Sequence, residues 1–320
     1  MLDKIIIDGL SFALPLFIMA IGGIYSERSG ITNLALEGLQ GAGAFVGALV
    51  ATFLMLVVPS DSQLPYYAAM LFAMIGGMSY AMLHGVLCVK FKANQVISGV
   101  VINILAMALT VFLTKVINRI AFGAASDKFL LNVSSRWTIP GLSSIPVVGA
   151  VFKDMYPFEV IIVVVAIISW YVLYCTRYGM HLRACGDNPQ AVDAAGIEVG
   201  KIRFTAVMIS GALSGLAGMC FAYSIFAKYT SSIYAGFGYL SIATFIVGKW
   251  KMFPTFVACL VFGVVRSGGD QVVQLLELPD RYSELVMVFP YVLTLFLQIF
   301  FSKDNQAPRA LGEVYDKGKN

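Results

Sequence analysis

The sequence predicts an all-α fold, a polytopic membrane helix bundle, and three observations carry that prediction. Hydrophobic residues make up 59% of the chain and the mean hydropathy is +0.82. Charged residues are only 12%, about half of the roughly 25% carried by soluble domains. Apolar runs of about 20 residues, enough to cross a bilayer as a helix, recur along all 320 residues. A β-barrel would show short alternating segments instead.

The runs place transmembrane helices at 5–25, 34–58, 66–89, 96–118, 158–175, 205–226, 238–249, 254–267 and 284–301. That is nine, within a range of eight to ten, because 238–249 is short enough to be a half-helix. The opening "MLDKIIIDGLSFALPLF" carries Asp3, Asp8 and Pro15, and its apolar stretch continues past residue 20. It therefore reads as the first span and not as a cleavable signal. Residues 1–301 form the transmembrane domain, and the polar, mixed-charge residues 302–320 read as a poorly ordered tail.

Lys and Arg in the short connections set the orientation. Arg28, Lys90, Lys92, Arg183, Arg203, Lys249 and Lys251 fall on one side together with the loop 176–204 and the tail. That side is cytoplasmic, which puts the N-terminus and the long loop 119–157 outside. Gly43 with Gly47, and Gly211 with Gly215, have the small-xxx-small spacing that lets helices approach closely in lipid. Packing within the bundle is the preferred use of that spacing over dimerisation. Trp137, Trp170 and Trp250 fall near predicted interfaces and read as aromatic-belt anchors.

Catalytic and cofactor chemistry is not indicated. The chain has no GxxxxGK[ST] phosphate loop, no HExxH and no GxSxG. Its five cysteines (88, 175, 185, 220 and 259) are scattered without CxxC, and His84 and His181 stand alone, so no metal site is expected. A net charge of +4 with no basic block gives no reason to expect nucleic acid. An enzyme is not expected.

A few polar residues interrupt the apolar runs. Glu37, preceded by Asn33 and followed by Gly38, opens the second span. An ionisable group there must face protein or water, as a helix-start partner or on a substrate path. Asn103 is the deepest amide, equally suited to joining helices or touching substrate. His84 reads as a packed, satisfied imidazole, and Arg266 with Asp270 as an ion pair one turn apart.

The longest polar interruption is "CGDNPQAVDAAGIEVGK", residues 185–201. Asn188 suits an N-cap, Pro189 the first helical position and Gly196 a C-terminal stop. A helix this short, faced by Ala191, Ala194 and Ala195, buries little alone and suits a groove on another protein.

At this point a resemblance becomes specific. "RACGDNPQAVDAAGIEVGKIRFTAVMISGALSGLAGM" resembles the cytoplasmic coupling segment and following span of the permease family of branched-chain amino acid and ribose-type ABC importers. "ERSGITNLALEGLQGAGAF" is similar to the ERSGVxNIxxEG segment of that family's nucleoside branch, with Thr32 and Ala35 as departures. "GFGYLSIATFIVGKWKMF", "FGVVRSGG" and "FPYVLTLFLQIF" resemble the second permease of nucleoside importers.

The resemblance implies a multi-pass protein of the bacterial inner membrane that moves a small molecule. It implies ABC ATPase subunits, a second and unlike permease, and an extracytoplasmic substrate-binding lipoprotein as partners. Residues Gly186 to Gly196, with Gly186, Asp187, Asn188, Pro189, Ala191, Ala195 and Gly196 as contacts, would form the helix that sits in the ATPase cleft. Asn33, Glu37, Gly38 and Asn103 would line or shape the pathway. Nucleosides lead as substrate, with riboflavin or simple sugars as alternatives. An ion-coupled secondary transporter would carry paired buried acids or histidines, for which Glu37 alone is thin support.

Overall fold

The computed structural model describes residues 2–131, 136–145, 148–277 and 307–316, with isolated positions 288, 292 and 296. In chain order its helices are α1 (Leu2–Arg28), α2 (Leu36–Leu54), α3 (Leu64–Gly85), α4 (Gln95–Phe122) and α5 (Pro157–Cys175). They are followed by α6 (Arg177–Asp187), α7 (Pro189–Ala194), α8 (Val199–Phe221), α9 (Phe237–Val247) and α10 (Met252–Leu275). π-Helical turns extend α3 through Val86–Lys90 and α8 through Ala222–Phe226. Among the described residues seven helices are long and apolar enough to cross a membrane: α1 to α5, α8 and α10. The segment expected at 238–249 is α9, whose 11 residues reach about 16 Å, half of a bilayer core. The expected span 284–301 lies outside the described residues.

Local chemistry explains several of these boundaries. Asn94 caps α4 by accepting the Ile97 N–H at 3.1 Å, and the left-handed Gly123 (φ +72°) ends it. Pro157 opens α5 at a position where no N–H is needed. Thr176 turns the chain between α5 and α6, its hydroxyl accepting from Gly179 N at 3.2 Å.

Helices α1, α2 and α8 form the buried centre, while α3, α4, α5 and α10 leave apolar faces such as Ile104, Ile167 and Phe253 exposed. Lipid tails solvate such faces as well as a partner helix would, so close packing must hold the centre together. The glycine pairs do this within the chain. A Cβ on Gly43 would strike the Gly215 backbone, one on Gly47 the Ala69 carbonyl, and one on Gly211 the Gly77 carbonyl. Helices α2, α3 and α8 therefore interlock backbone to backbone, and the small-xxx-small spacing is used inside the bundle.

At the end expected to face outward β1 (Lys128–Leu130) pairs antiparallel with β2 (Lys228–Thr230). Phe129 and Tyr229 lie opposite each other in that pair and pack on Phe45 of α2. At the opposite end, expected to face the cytoplasm and termed the inner end, Arg28 Nε donates to the Trp250 carbonyl at 3.2 Å, and Trp250 Nε1 donates to Glu27 Oε2 at 2.6 Å. Trp250 is thus a buried side chain that partners an acid and not a belt anchor. Trp137 and Trp170 are about half exposed. Residues 307–316, the described part of the tail, are packed against the inner end, held by backbone bonds from Ala310 N to Gly186 O (2.8 Å) and Gly312 N to Gly30 O (3.1 Å). Composition alone reads such a stretch as disordered, because its polar sequence does not reveal the partners that order it.

Candidate functional site

Between α1 and α2 the chain abandons helix for residues 29–35. The start of α2 does not sit level with the start of α4: Gly38 N donates to Asn103 Oδ1 at 2.7 Å, and Asn103 lies about 12 Å along α4 from its first residue. Irregular backbone at that depth is tolerated only where protein satisfies its polar groups, and here side chains from four helices do so. Ser26 Oγ of α1 donates to Ile31 O at 2.9 Å. Thr32 N donates to Gln95 Oε1 of α4 at 2.6 Å, and Thr32 O lies 3.3 Å from His84 Nε2 of α3. Asn33 uses both ends of its amide: Oδ1 accepts from Ala35 N at 3.0 Å, and Nδ2 donates to Ser210 Oγ of α8 at 2.9 Å. Leu34 O accepts from Asn103 Nδ2 at 2.8 Å.

His84 is fully buried, with Nδ1 sharing a 2.8 Å hydrogen bond with Ser98 Oγ. It is the satisfied imidazole that its isolation in the sequence suggested.

Glu37 joins two broken helices. Its Oε1 accepts from Gly236 N at 2.8 Å and its Oε2 from Gly238 N at 2.5 Å, so the carboxylate caps the first turn of α9. A helix N-terminus carries unpaired N–H groups and a positive partial charge, which is where an anion is most stabilised. The backbone must come close to be capped this way. Gly236 is left-handed (φ +85°), and a Cβ on Gly238 would collide with the α2 backbone at Glu37. The alternating glycines of "AGFGY" were the signal for this approach, and sequence reading passed over them.

The four residues named for the pathway, Asn33, Glu37, Gly38 and Asn103, therefore meet in one cluster. Asn103 also extends it outward. Its Nδ2 lies 3.0 Å from the Tyr239 hydroxyl, and Tyr239 is 46% exposed beside the exposed α4 residues Val100 and Ile104. Two turns further along α4, Thr110 Oγ1 shares a 2.9 Å hydrogen bond with the Tyr234 hydroxyl. Tyr234, Tyr239, Gln95 and Ser210 belong to this polar seam and were not foreseen, since tyrosines and serines in apolar runs carry no spacing signal. Arg266 lies elsewhere, its guanidinium 4.3 Å above the Phe12 ring and 5.1 Å from the Phe237 ring centre. With Asp8, Ser11 and Asp270 it lines a separate polar cavity of about 250 Å³. Among the described residues no three His, Cys, Asp or Glu side chains come together as metal ligands would.

The polar interruption forms a second, distinct feature at the inner end. Gly186 and Asp187 close α6, and Asn188 breaks the chain at φ −154°. Asn188 Oδ1 accepts from Ala191 N at 3.0 Å, opening the one-and-a-half-turn α7 with Pro189 at its first position. Gly196, left-handed at φ +79°, ends the motif. Residues 186–196 are thus two helical pieces divided at Asn188 and not one continuous helix. Asp187, Asn188, Ala191, Ala195 and Gly196 are exposed, whereas Gly186 and Pro189 are buried. A Cβ on Gly186 would strike the Arg28 carbonyl, so α6 meets the end of α1 backbone to backbone.

The sequence has extensive relatives. It is 35% identical to the guanosine ABC transporter permease protein NupQ of Bacillus subtilis, over 97% of this chain and 95% of that protein. It is likewise 35% identical to the nucleoside ABC transporter permease protein NupC of Lactococcus lactis, over 99% and 98%. A second Bacillus subtilis protein, the guanosine ABC transporter permease protein NupP, is 22% identical over 96% of this chain and 83% of its own length. No solved structure gives a significant match. A family model described as branched-chain amino acid transport system / permease component matches residues 5–297, nearly the whole membrane bundle, and the chain belongs to that family of permeases.

Proposed function

We propose that this chain is one of two unlike permease subunits of an ATP-driven nucleoside importer in the bacterial cytoplasmic membrane. The observation that carries this reading is the end-to-end 35% identity to NupQ and NupC. Similarity to NupP is much lower, at 22%. Two Bacillus subtilis proteins named as guanosine permeases thus match this chain very unequally, which supports a NupQ-like member of a heterodimer. ATPase subunits supply the energy, and an extracytoplasmic binding lipoprotein delivers the substrate. The full bundle has nine membrane helices in this reading, α9 being a half-length one.

In this reading the translocation path runs along the face of α4 and α9, where Asn103 and Tyr239 offer polar groups beside an otherwise apolar surface. The second permease supplies the opposite wall. Asn33, Glu37 and Gly38 hold that face in place from behind. The exposed edge of α7 (Ala191, Ala195 and the cap Asn188) enters the ATPase cleft, so closure of the ATPase pair displaces α7 and through it the helices above.

Reconstitution in liposomes of both permeases, the ATPase and the binding protein tests the reading. Nucleosides added with the binding protein should stimulate ATP hydrolysis and accumulate inside. Stimulation by riboflavin or ribose but by no nucleoside would refute the substrate assignment. Uptake that follows an ion gradient without ATP would refute the class.

A further inference from the structure

The segment 307–316 has no helix or strand of its own, so contacts alone fix its course. Those contacts lie where several parts of the inner end converge. Ala310 N donates to Gly186 O at 2.8 Å, on the last turn of α6 just before the break into α7. Gly312 N donates to Gly30 O at 3.1 Å, on the irregular link between α1 and α2. Arg203 of α8 donates from Nη1 to Glu313 O at 2.8 Å and from Nε to Ser29 O at 3.1 Å, so one guanidinium ties the tail and the link together. Tyr315 stands beside Asp193 of α7. Its ring packs on the buried trio Cys185, Val192 and Val199. Lys92, beyond α3, pairs with Asp316 at 2.5 Å.

The junction leaves little room for slippage. Gly30 is left-handed at φ +95°, and a Cβ there would crowd Arg203 Nη2 and the Ala310 carbonyl. Gly186 faces the Arg28 carbonyl on one side and Pro308 on the other. Ala310 is almost fully buried and Leu311 packs against the main core. The same tail therefore grips α7 at one end and the link 29–35 in its middle, and that link leads directly into Asn33 and the Glu37 cluster.

We propose that residues 308–316 are a positioning strap that transmits movement of α7 to the link between α1 and α2, and so couples ATP hydrolysis to opening of the path. The proposal rests on the permease reading above and adds to it a mechanical element outside the membrane helices. Packed contacts between elements with fixed geometry move as one body, so displacing α7 at Val192 and the adjoining end of α6 at Gly186 pulls on Gly30 and Ser29. A strap of this kind changes how much transport each ATP delivers. A merely structural staple changes only how much transporter is present.

The test measures substrate imported per ATP hydrolysed in the reconstituted four-component transporter. Two variants are compared with the unaltered chain: removal of residues 307–320, and Ala310→Pro, which deletes the N–H directed at Gly186 O and fixes the backbone φ there. Both are expected to assemble with the ATPase and to hydrolyse ATP while import per ATP falls at least about fivefold, the lower bound for sites coupled at typical strength. If the truncated chain does not assemble, Ala310→Pro decides by the same ratio. An unchanged ratio in the assembled variants overturns the strap, as does a parallel fall of import and hydrolysis that preserves the ratio. Failure of the unaltered complex to import at all overturns the permease reading and the strap with it, and is recognised because no variant is needed to see it.

Discussion

Gly38 donates its backbone N–H to Asn103 Oδ1 at 2.7 Å, and that one bond sets the first turn of α2 against the middle of α4. The same amide returns a hydrogen bond to Leu34 O at 2.8 Å. Asn103 therefore satisfies two backbone groups that no water replaces at this depth.

Replacing Asn103 by Leu leaves both groups without partners, each at a penalty of about 1–3 kcal/mol. The Asn103→Leu permease is expected to melt several degrees lower in detergent and to lose uptake. Asn103→Asp keeps the acceptor for Gly38 but gives up the donor to Leu34, so its stability should fall between the two. Thermal unfolding of the purified transporter checks the order, and a Leu variant as stable as the parent would contradict this account of the link.

The Glu37 carboxylate makes the second prediction. Its two oxygens each accept a glycine N–H of α9. Glu37→Gln turns one acceptor into an amide NH₂ facing another donor and removes one charge-assisted bond, a loss of about 1.5–3 kcal/mol. Gly238→Ala should be worse, because its methyl meets the α2 backbone N and Cα of Glu37 as well as the Glu37 carboxylate, and that backbone cannot swing aside. Folded yield after detergent extraction should fall in the order parent, Glu37→Gln, Gly238→Ala. The reverse order would show that the close approach of α2 and α9 is not what holds them.

How much of this was legible beforehand follows the range of the forces involved. Hydropathy marks a transmembrane helix by itself, so α1 to α5, α8 and α10 all fall where apolar runs predicted them. Capping is equally local, which is why Asn188, Pro189 and Gly196 could be given their places around α7. Helix α6, which runs up to that cap, was not foreseen, because it is fixed by contacts such as that of Gly186 with Arg28 on a helix distant in sequence. For the same reason Asn33, Glu37, Gly38 and Asn103 could be named individually, while their meeting with Tyr239, Ser210 and the glycines of α9 could not. Residues 307–316 show the limit most sharply: their course is fixed by Gly30, Gly186 and Arg203, and nothing within the segment announces them.

Cys185 reports on that junction. It is fully buried, and burial pushes its thiol up to about 11, with the nearby Arg203 guanidinium pulling the other way. A raised thiol value means the reactive thiolate is scarce at neutral pH and grows about tenfold per pH unit up to that value. In a chain whose exposed Cys175 is changed to Ser, maleimide labelling of Cys185 should be slow at pH 7.5 and rise with pH. Tyr315→Ala uncovers the Cys185–Val192–Val199 trio and should speed labelling at every pH. Rapid labelling of the parent at neutral pH would contradict the packing of the tail on α6 and α7.

The last prediction separates the shape of α7 from its mere presence. Gly196 ends the motif with a left-handed backbone (φ +79°), and its N–H donates to Asp193 O at 2.8 Å. Proline fixes φ near −65° and has no N–H, so Gly196→Pro both forbids the observed conformation and deletes the bond. Alanine meets nothing within 4 Å at this position, and its penalty is limited to the left-handed backbone, about 1–2 kcal/mol. Gly196→Ala should therefore retain most uptake, whereas Gly196→Pro, like replacement of 188–195 by a Gly/Ser stretch, should abolish it. Membrane insertion should be normal in all three, since the transmembrane helices carry it. Import assays alongside a membrane-fraction immunoblot distinguish these outcomes. Normal uptake by a well-inserted Gly196→Pro variant would remove α7 from the coupling path altogether.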